Sequence, residues 1–489
     1  MPRRKSRLRQ QAEGMLPFRY EEDEGDVAIT GLAGIPLVSE AYRATGAAEA
    51  VERCVETRER EREGGLTDAQ MVESVVALMA GGGENVEDAQ VLRDDGGLAA
   101  MLGHSLPGRS TVRQFLYTFH DKDQQKVADE QRLFEPSHVP PETPALAGLH
   151  EALRATVDAA QAHQEEWKAT IDVDATIIES SKEEAARTYT GERGYQPMLA
   201  VWAEQDVILA DEFRDGNVPA GSGVARCLAK AVDALPAGVE RLYTRMDSAG
   251  YTHEVMDWCD KKNGDGDPRV IFGISADMTP PLRQAIKRVP EDDWNGLDSD
   301  KDEIRQWAEV DYVPGVSGEK KSVRCHRYLA IRVKPTQGML FDDGNSVKHF
   351  AIVTNDWGRD GGAIIKWHRG KAGTVEQVHK VTKNELGAGV MPCGRFGANA
   401  AWYRLAALTY NLLSITRRTA LPEPLKTARP KRLRFQVLNR AGRIVHHARR
   451  LIVRVARSLA GPRGMLVAAR RALRQLAETV RAARRLAFG

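Results

Sequence analysis

The chain has 489 residues, 42% of them apolar and 28% charged, with a formal net charge of +2. That length and balance describe a folded protein with a sizeable core, and they exclude a disordered or collagen-like chain. Five scattered cysteines with no CxxC pair exclude a zinc ribbon and a disulfide framework and fit a reducing compartment, and no run reaches the roughly 18 apolar residues of a membrane span.

Residues 1–30 are basic and then acidic ("EEDEGD"), and read as a disordered lead-in. Residues 31–165 read as helical. "LVSEAYRATGAAEAVERCVETRERER" spaces its apolar residues by three and four, with Gly46 as the break. "LTDAQMVESVVALMAGG" opens on a cap, Thr67, and closes on glycines. Two short helices, a turn at Pro107 and Gly108, and a helix capped by Ser110 or Thr111 follow. This order fits a helix-turn-helix or a plain helical bundle.

The pattern then changes period. "ATIDVDATIIES", "YQPMLAVWAEQ" and "DVILADEFRDG" read as three successive strands of an antiparallel meander. "GVARCLAKAVDAL" reads as a helix, "ERLYTRMDS" as a strand, "YTHEVMDWCDKKN" as a helix and "PRVIFGIS" as a strand. A meander followed by alternating helices and strands is the order of an RNase H-like core, an α/β fold. Residues 277–345 interrupt it with turn-rich polar sequence around strand-like "EVDYVPGV", "SVRCHRYLAIRVKP" and "GMLFDD", and read as a β-rich insertion. The core resumes with the strand "KHFAIVTND", then "WHRGKAGTVEQVHKVTKNEL" as a helix and "NAAWYRLAALTYNLLSITRRTAL" as a long apolar one. Residues 423–489 read as a basic helical tail. From Arg429 onward, 17 Lys and Arg stand against one acid, Glu478, a charge that suits a polyanion. An acidic membrane surface or a partner helix would also suit its amphipathic pattern.

Three places could carry chemistry. Asp172 and Asp174 alternate with Ile171, Val173 and Ala175, so the two acids share one face of a strand. A buried carboxylate is costly unless it is paired or holds a metal, whereas on an exposed face it costs nothing. Asp247 ends an apolar strand, where sites gather in open α/β sheets and where turns also favour Asp. Glu376, Lys380 and Lys383 fall at i, i+4 and i+7, one helical face that could be a solvated ion-pair face or an acid flanked by phosphate-binding lysines. Three converging carboxylates can hold two divalent ions for in-line phosphodiester displacement, and oxygen-only ligands favour Mg²⁺ or Mn²⁺. Trp367 and Trp402 are either stacking platforms or core.

The blocks "IDVDAT", "YTGERGYQPMLAV", "RMDSAGY", "FAIVTN" and above all "KAGTVEQVHKVTKNELGAGVMPCGRFGANAAWYRLAALTYNLL" resemble a bacterial insertion-sequence transposase of the DDE type. The group is the one with a β-rich insertion before the final Glu, insertion-sequence family thirteen-eighty. The segment "EDAQVLRDDGGLAAMLG…STVRQFL" also resembles its N-terminal domain, so the likeness spans roughly residues 30–450. The resemblance implies an RNase H-like core divided between residues 166–276 and 346–422. It implies cut-and-paste transposition with two Mg²⁺ or Mn²⁺ ions held by Asp174, Asp247 and Glu376. Asp174 rather than Asp172 matches the first acid, being followed by x-Thr. A family signature Tyr-x2-Arg-x3-Glu-x6-Lys is matched by Glu376 and Lys383, while its earlier part departs: His368 stands for the Tyr, Lys371 for the Arg, and the gap to Glu376 is one residue longer. His368, Arg369, Lys371, Lys380 and Lys383 are thereby expected at phosphates. The helical N-terminal region, including Arg113, is expected at the terminal inverted repeats. The partners implied are double-stranded DNA, both transposon end and target, and a second copy in the synaptic complex. The location implied is the bacterial cytoplasm, at the nucleoid, without membrane. A metal-dependent nuclease without strand transfer would carry the same acids, and an inactive DNA-binding relative is the remaining alternative.

Overall fold

The computed structural model describes residues 28–57, 65–135, 137–263, 270–299, 302–314, 326–335, 347–456 and 462–488. The expected lead-in therefore lies outside the described residues up to position 27, as does the "GMLFDD" segment.

The centre is a nine-stranded mixed sheet. Its strands are β1 (Lys168–Ala175), β2 (Met198–Trp202), β3 (Val207–Glu212), β4 (Arg241–Met246), β5 (Val270–Ser275), β6 (Asn295–Gly296), β7 (Glu303–Val310), β8 (Arg327–Pro335) and β9 (Lys348–Thr354). Their order is β6-β7-β8-β9-β5-β4-β1-β2-β3. β1, β4 and β5 run parallel, and every other neighbour is antiparallel. β1 alternates apolar with polar residues, yet Ala169 to Val173 are all buried because the sheet is covered on both faces at this point. The strands of the segment expected as an insertion extend this same sheet: β9 pairs with β8 on one side and β5 on the other.

The helices that matter here are α1 (Pro36–Ala44), α2 (Asp68–Gly81), α3 (Arg109–Tyr117), α4 (Pro144–His163), α5 (Val224–Asp233), α6 (His253–Asn263), α7 (Gly361–Arg369), α8 (Val375–Glu385), α9 (Phe396–Ala420) and α10 (Pro462–Phe488). α2 is fixed at its start by a reciprocal cap between Thr67 and Gln70. α1 stops at Gly46, whose φ of 76° lets the chain turn into the next helix, as its sequence predicts. α3 is capped at Gly108, not at Ser110 or Thr111. α5 buries Val224, Cys227, Leu228 and Ala231, the spacing of one helical stripe laid on the sheet.

α9 is buried from Gly397 to Thr416 and packs on α2, α4 and β3. Each fully buried Leu, Ile or Trp in it is worth about 1.5–3 kcal/mol over exposure. Several of its buried polar residues bridge to the sheet, although the Tyr403 and Thr419 hydroxyls find no partner among the described residues. Asn411 accepts from the Ile208 amide at 2.7 Å and donates to the Ile208 carbonyl at 2.9 Å. It thereby closes the free edge of β3, which a helix must otherwise cover. Arg404, fully buried, forks onto Asp211 at 2.8 and 3.1 Å and onto Glu142 at 2.8 and 3.1 Å. This cluster locks the helical N-terminal region to the sheet.

Two sequence expectations need correction. "WHRGKAGTVEQVHKVTKNEL" is two helices: a single 3-10 turn over Gly370–Gly373 follows α7, and the chain leaves the helical region at Thr374, with φ of −118° and ψ of −96°, before α8 begins. The C-terminal tail is only partly helical. Gly442–His447 and Arg450–Val455 form a β-hairpin that pairs with Ile29–Thr30. "LIVRV" alternates and is rich in β-branched residues, which favours a strand. α10 is a helix, but it folds back onto α1, α4 and α9 through Ala469, Leu473, Leu476 and Val480.

Candidate active site

Parallel pairing of β1 with β4 sets Val173 beside Met246. The next residue on each strand is an acid, Asp174 and Asp247, so the two stand side by side at the carboxyl ends of adjacent strands. Neighbouring strands lie about 4.8 Å apart. Asp247 accepts from the Ala249 amide at 3.0 Å, which fixes the turn leaving β4. Burial first and the Asp247 charge second raise the Asp174 carboxyl to about 6, with Lys371 and the Ala175 amide opposing and Glu376 adding a smaller repulsion. Glu376 sits in the first turn of α8 and meets the Lys371 ammonium at 3.3 Å. The three expected acids and Lys371 thus share one electrostatic environment.

Asp172 has a different fate. It is fully buried and receives both forks of Arg245, Nε at 2.6 Å and Nη2 at 2.7 Å, and the Thr374 hydroxyl. Arg245 also donates to the Trp367 carbonyl at 2.7 Å and lies 5.7 Å from the Trp367 ring centre. Each member of this buried set stands two residues before a site acid: Asp172 before Asp174, Arg245 before Asp247, Thr374 before Glu376. One polar layer therefore ties β1, β4 and the start of α8 together directly beneath the carboxylates. Asp172 is spent on Arg245, whereas Asp174 has no comparable cation.

The remaining expected residues divide. His368, Arg369, Lys371 and Glu376 line one cavity of about 370 Å³ with Ser275 and Ile352. Lys380 is exposed on α8, one turn beyond Glu376. Two residues expected at phosphates turn inward. His368 is buried, its Nε2–H donates to the Met246 carbonyl at 2.9 Å, and burial pushes its imidazole down to about 4. Lys383 donates to the Ile177 carbonyl at 2.5 Å and so holds the chain leaving β1. The sequence face Glu376–Lys380–Lys383 is rotated at its far end, because Val375, Val378, His379 and Thr382 take the sheet side. Arg113 lies apart from this group, on α3, where it and Arg109 share Glu87. Trp402 is core and donates to the Gly387 carbonyl at 2.9 Å; Trp367 packs against Arg245 and Arg359.

Sequence reasoning passed over His379 and Arg245. His379, fully buried and pushed down to about 4, donates from Nε2 to the Asp174 carbonyl at 3.1 Å. Its signal was its place three residues after Glu376, on the apolar stripe of α8. The signal for Arg245 was a lone cation on an apolar strand, two residues before an acid.

The donor set is three carboxylates, the chemistry of a hard divalent cation. Mutual repulsion at Asp174 is relieved by such a charge, so the residues fit one. Among the described residues, however, no three His, Cys, Asp or Glu side chains close together as a ligand group. Glu376 instead faces Lys371.

A mixed sheet with acids at the ends of its central parallel strands and a third on the following helix belongs with the DDE class of transposase domains, enzymes that cleave DNA and transfer strands. The chain matches the family described as Transposase DDE domain group 1 over residues 22–478, and it belongs to that family. A search of the curated proteins finds no match. Among solved structures, a cryo-EM structure of a piggyBac transposase synaptic complex with hairpin DNA aligns with a TM-score of 0.46 at 10% identity. That alignment covers 83% of this chain and 79% of that one. Among the described residues no helix is long and apolar enough to cross a membrane.

Proposed function

We propose that this transposase works by cut and paste, with Asp174, Asp247 and Glu376 holding two Mg²⁺ or Mn²⁺ ions. The observation that carries the reading is the contrast between the two acids of β1. Asp172 is neutralised by Arg245, while Asp174 shares its field with Asp247 and Glu376. The strand order β3-β2-β1-β4-β5 supports an RNase H-like core, and the quoted sequence blocks support insertion-sequence family thirteen-eighty. When bound, the divalent ions supply an activated oxygen nucleophile and stabilise the leaving oxygen of an in-line displacement.

The protein's own residues do the rest. Asp174 and Asp247 present their carboxylates from rigid strand ends, and His379 and His368 fix the backbone carbonyls of Asp174 and Met246. Lys371 holds Glu376 until a stronger cation competes for it. Arg369 and Lys380 bind phosphates near the scissile bond. The N-terminal helices, including α3 with Arg113, bind the terminal inverted repeat, and two copies bring two ends together.

The test is cleavage of an end-bearing duplex in Mg²⁺. Asp174→Ala abolishes cleavage and leaves duplex binding within about threefold of the parent. Full-rate cleavage by this variant would sink the assignment. A strand-transfer assay separates a transposase from a nuclease: only the former joins the new 3′-hydroxyl to a second duplex.

A further inference from the structure

The hairpin Gly442–His447/Arg450–Val455 has features that folding alone does not require. Its register sets Arg443 directly opposite Arg454, Val445 opposite Ile452, and His447 opposite Arg450. Residues opposite one another across an antiparallel pair point to the same side, so all six share one face. The other face carries Gly442 and Ile444, which are buried; a Cβ at Gly442 would lie 2.7 Å from the Ala33 methyl. The Arg-bearing face looks to solvent, with Arg443, His447, Arg450 and Arg454 all exposed.

Like charges directly opposite in a sheet destabilise it. Among the described residues, this cross-strand Arg–Arg pair has no acid bonded to it. Residues 424–477 contain no Asp or Glu. Among the described residues no carboxylate pairs with Arg443, Arg449, Arg450 or Arg454. The tip is strained as well. Its two central residues, Ala448 and Arg449, have φ of 48° and 60°, where Gly and Asn are the usual occupants. An arginine is thus held at the apex of a turn that disfavours it. The base is anchored by pairing of Ile29 and Thr30 with Arg443 and Gly442. The result is a stiff ribbon about 20 Å long, the length of six residues at the usual strand rise.

We propose that this ribbon is a DNA-binding element, with its Arg443–Arg454 face and Arg449 tip seated on a duplex. A two-stranded ribbon fits the major groove, and closely spaced phosphates turn the Arg–Arg repulsion into attraction. The inference rests on the transposase reading above and adds a contact surface away from the carboxylates.

The experiment uses the full chain and a 30-base-pair duplex of random sequence, with binding followed by fluorescence anisotropy over a KCl series. The doubly substituted Arg443→Gln/Arg454→Gln protein loses about two units of the slope of log K against log salt, and its melting temperature holds or rises. Arg449→Gly loses about one unit and also melts no lower, since glycine relaxes the turn. A melting temperature that falls with the slope unchanged overturns the proposal, because the arginines then serve the fold. An unchanged slope in either variant overturns it too, as does an equal ribbon dependence on single-stranded RNA. If the parent chain itself fails to bind duplex DNA, the transposase reading falls with it. If only the ribbon variants bind like the parent, the carboxylate site is untouched.

Discussion

Replacing Arg245 by Met tests the polar layer beneath the carboxylates. The substitution keeps much of the volume but leaves Asp172 fully buried without its cation. Removing one partner of a buried pair costs about 3–5 kcal/mol, chiefly because the other charge is stranded. The bonds seen here agree with that range: two charged contacts to Asp172 at 2.6 and 2.7 Å and one to the Trp367 carbonyl at 2.7 Å. Urea unfolding of Arg245→Met should therefore show a loss of about 3–5 kcal/mol. Pairing it with Asp172→Leu removes the stranded charge, so the double variant should recover most of that loss. Cleavage should not recover, because neither Met nor Leu can replace the bonds to Trp367 and Thr374 that seat α8 and Glu376. A single-variant loss below about 1 kcal/mol would refute the reasoning. So would a double variant that cleaves at the parental rate.

Three other outcomes follow from the geometry. Lys380→Met should lower the salt slope of duplex binding by about one unit, whereas Lys383→Met should leave it alone, because Lys383 is engaged with the Ile177 carbonyl. Burial opposes the charge on Glu142, but Arg404 and Lys230 hold its folded pKa far below the usual 4.5. A depressed folded pKa contributes stability that is full above about pH 4.5 and is lost as the pH falls below it. Glu142→Gln should thus lower stability at pH 7 and flatten its acid limb, as read from urea titrations at several pH values. Gly397→Ala should destabilise by about 1–3 kcal/mol despite the better helix propensity of Ala. Its Cβ would lie 2.2 Å from the Phe119 carbonyl oxygen, and thermal melting measures the loss.

The strands of the sheet were legible because their apolar runs are long and bounded by turn residues. β1 to β5 stand where the sequence placed them, and so does the shared face of Asp172 and Asp174. What could not be read was which acid had a partner. Arg245 is 73 residues from Asp172, and only parallel register brings them together. The rotation of α8 was hidden for a related reason. Glu376, Lys380 and Lys383 share a helical stripe by spacing, but His379 and Thr382 compete for the sheet side and turn Lys383 toward β1. The tail misled because Arg-rich apolar sequence suits both periods. The pairing of Ile29–Thr30 with Arg443 and Gly442, far away in sequence, accompanies the strand. The alternating "RLIVRV" was the local hint.

The return of α10 onto α1 and α4 has a consequence for the life of the chain. During synthesis the N-terminal helices leave the ribosome with an apolar flank exposed, and the residues that cover it are made long afterwards. The sheet depends in the same way on α9, which closes the edge of β3. Contacts that join distant parts of a chain form slowly and late. Assembly of the catalytic machinery is therefore a terminal event, and a nascent or truncated transposase ending before α9 exposes sticky surface instead of cutting DNA.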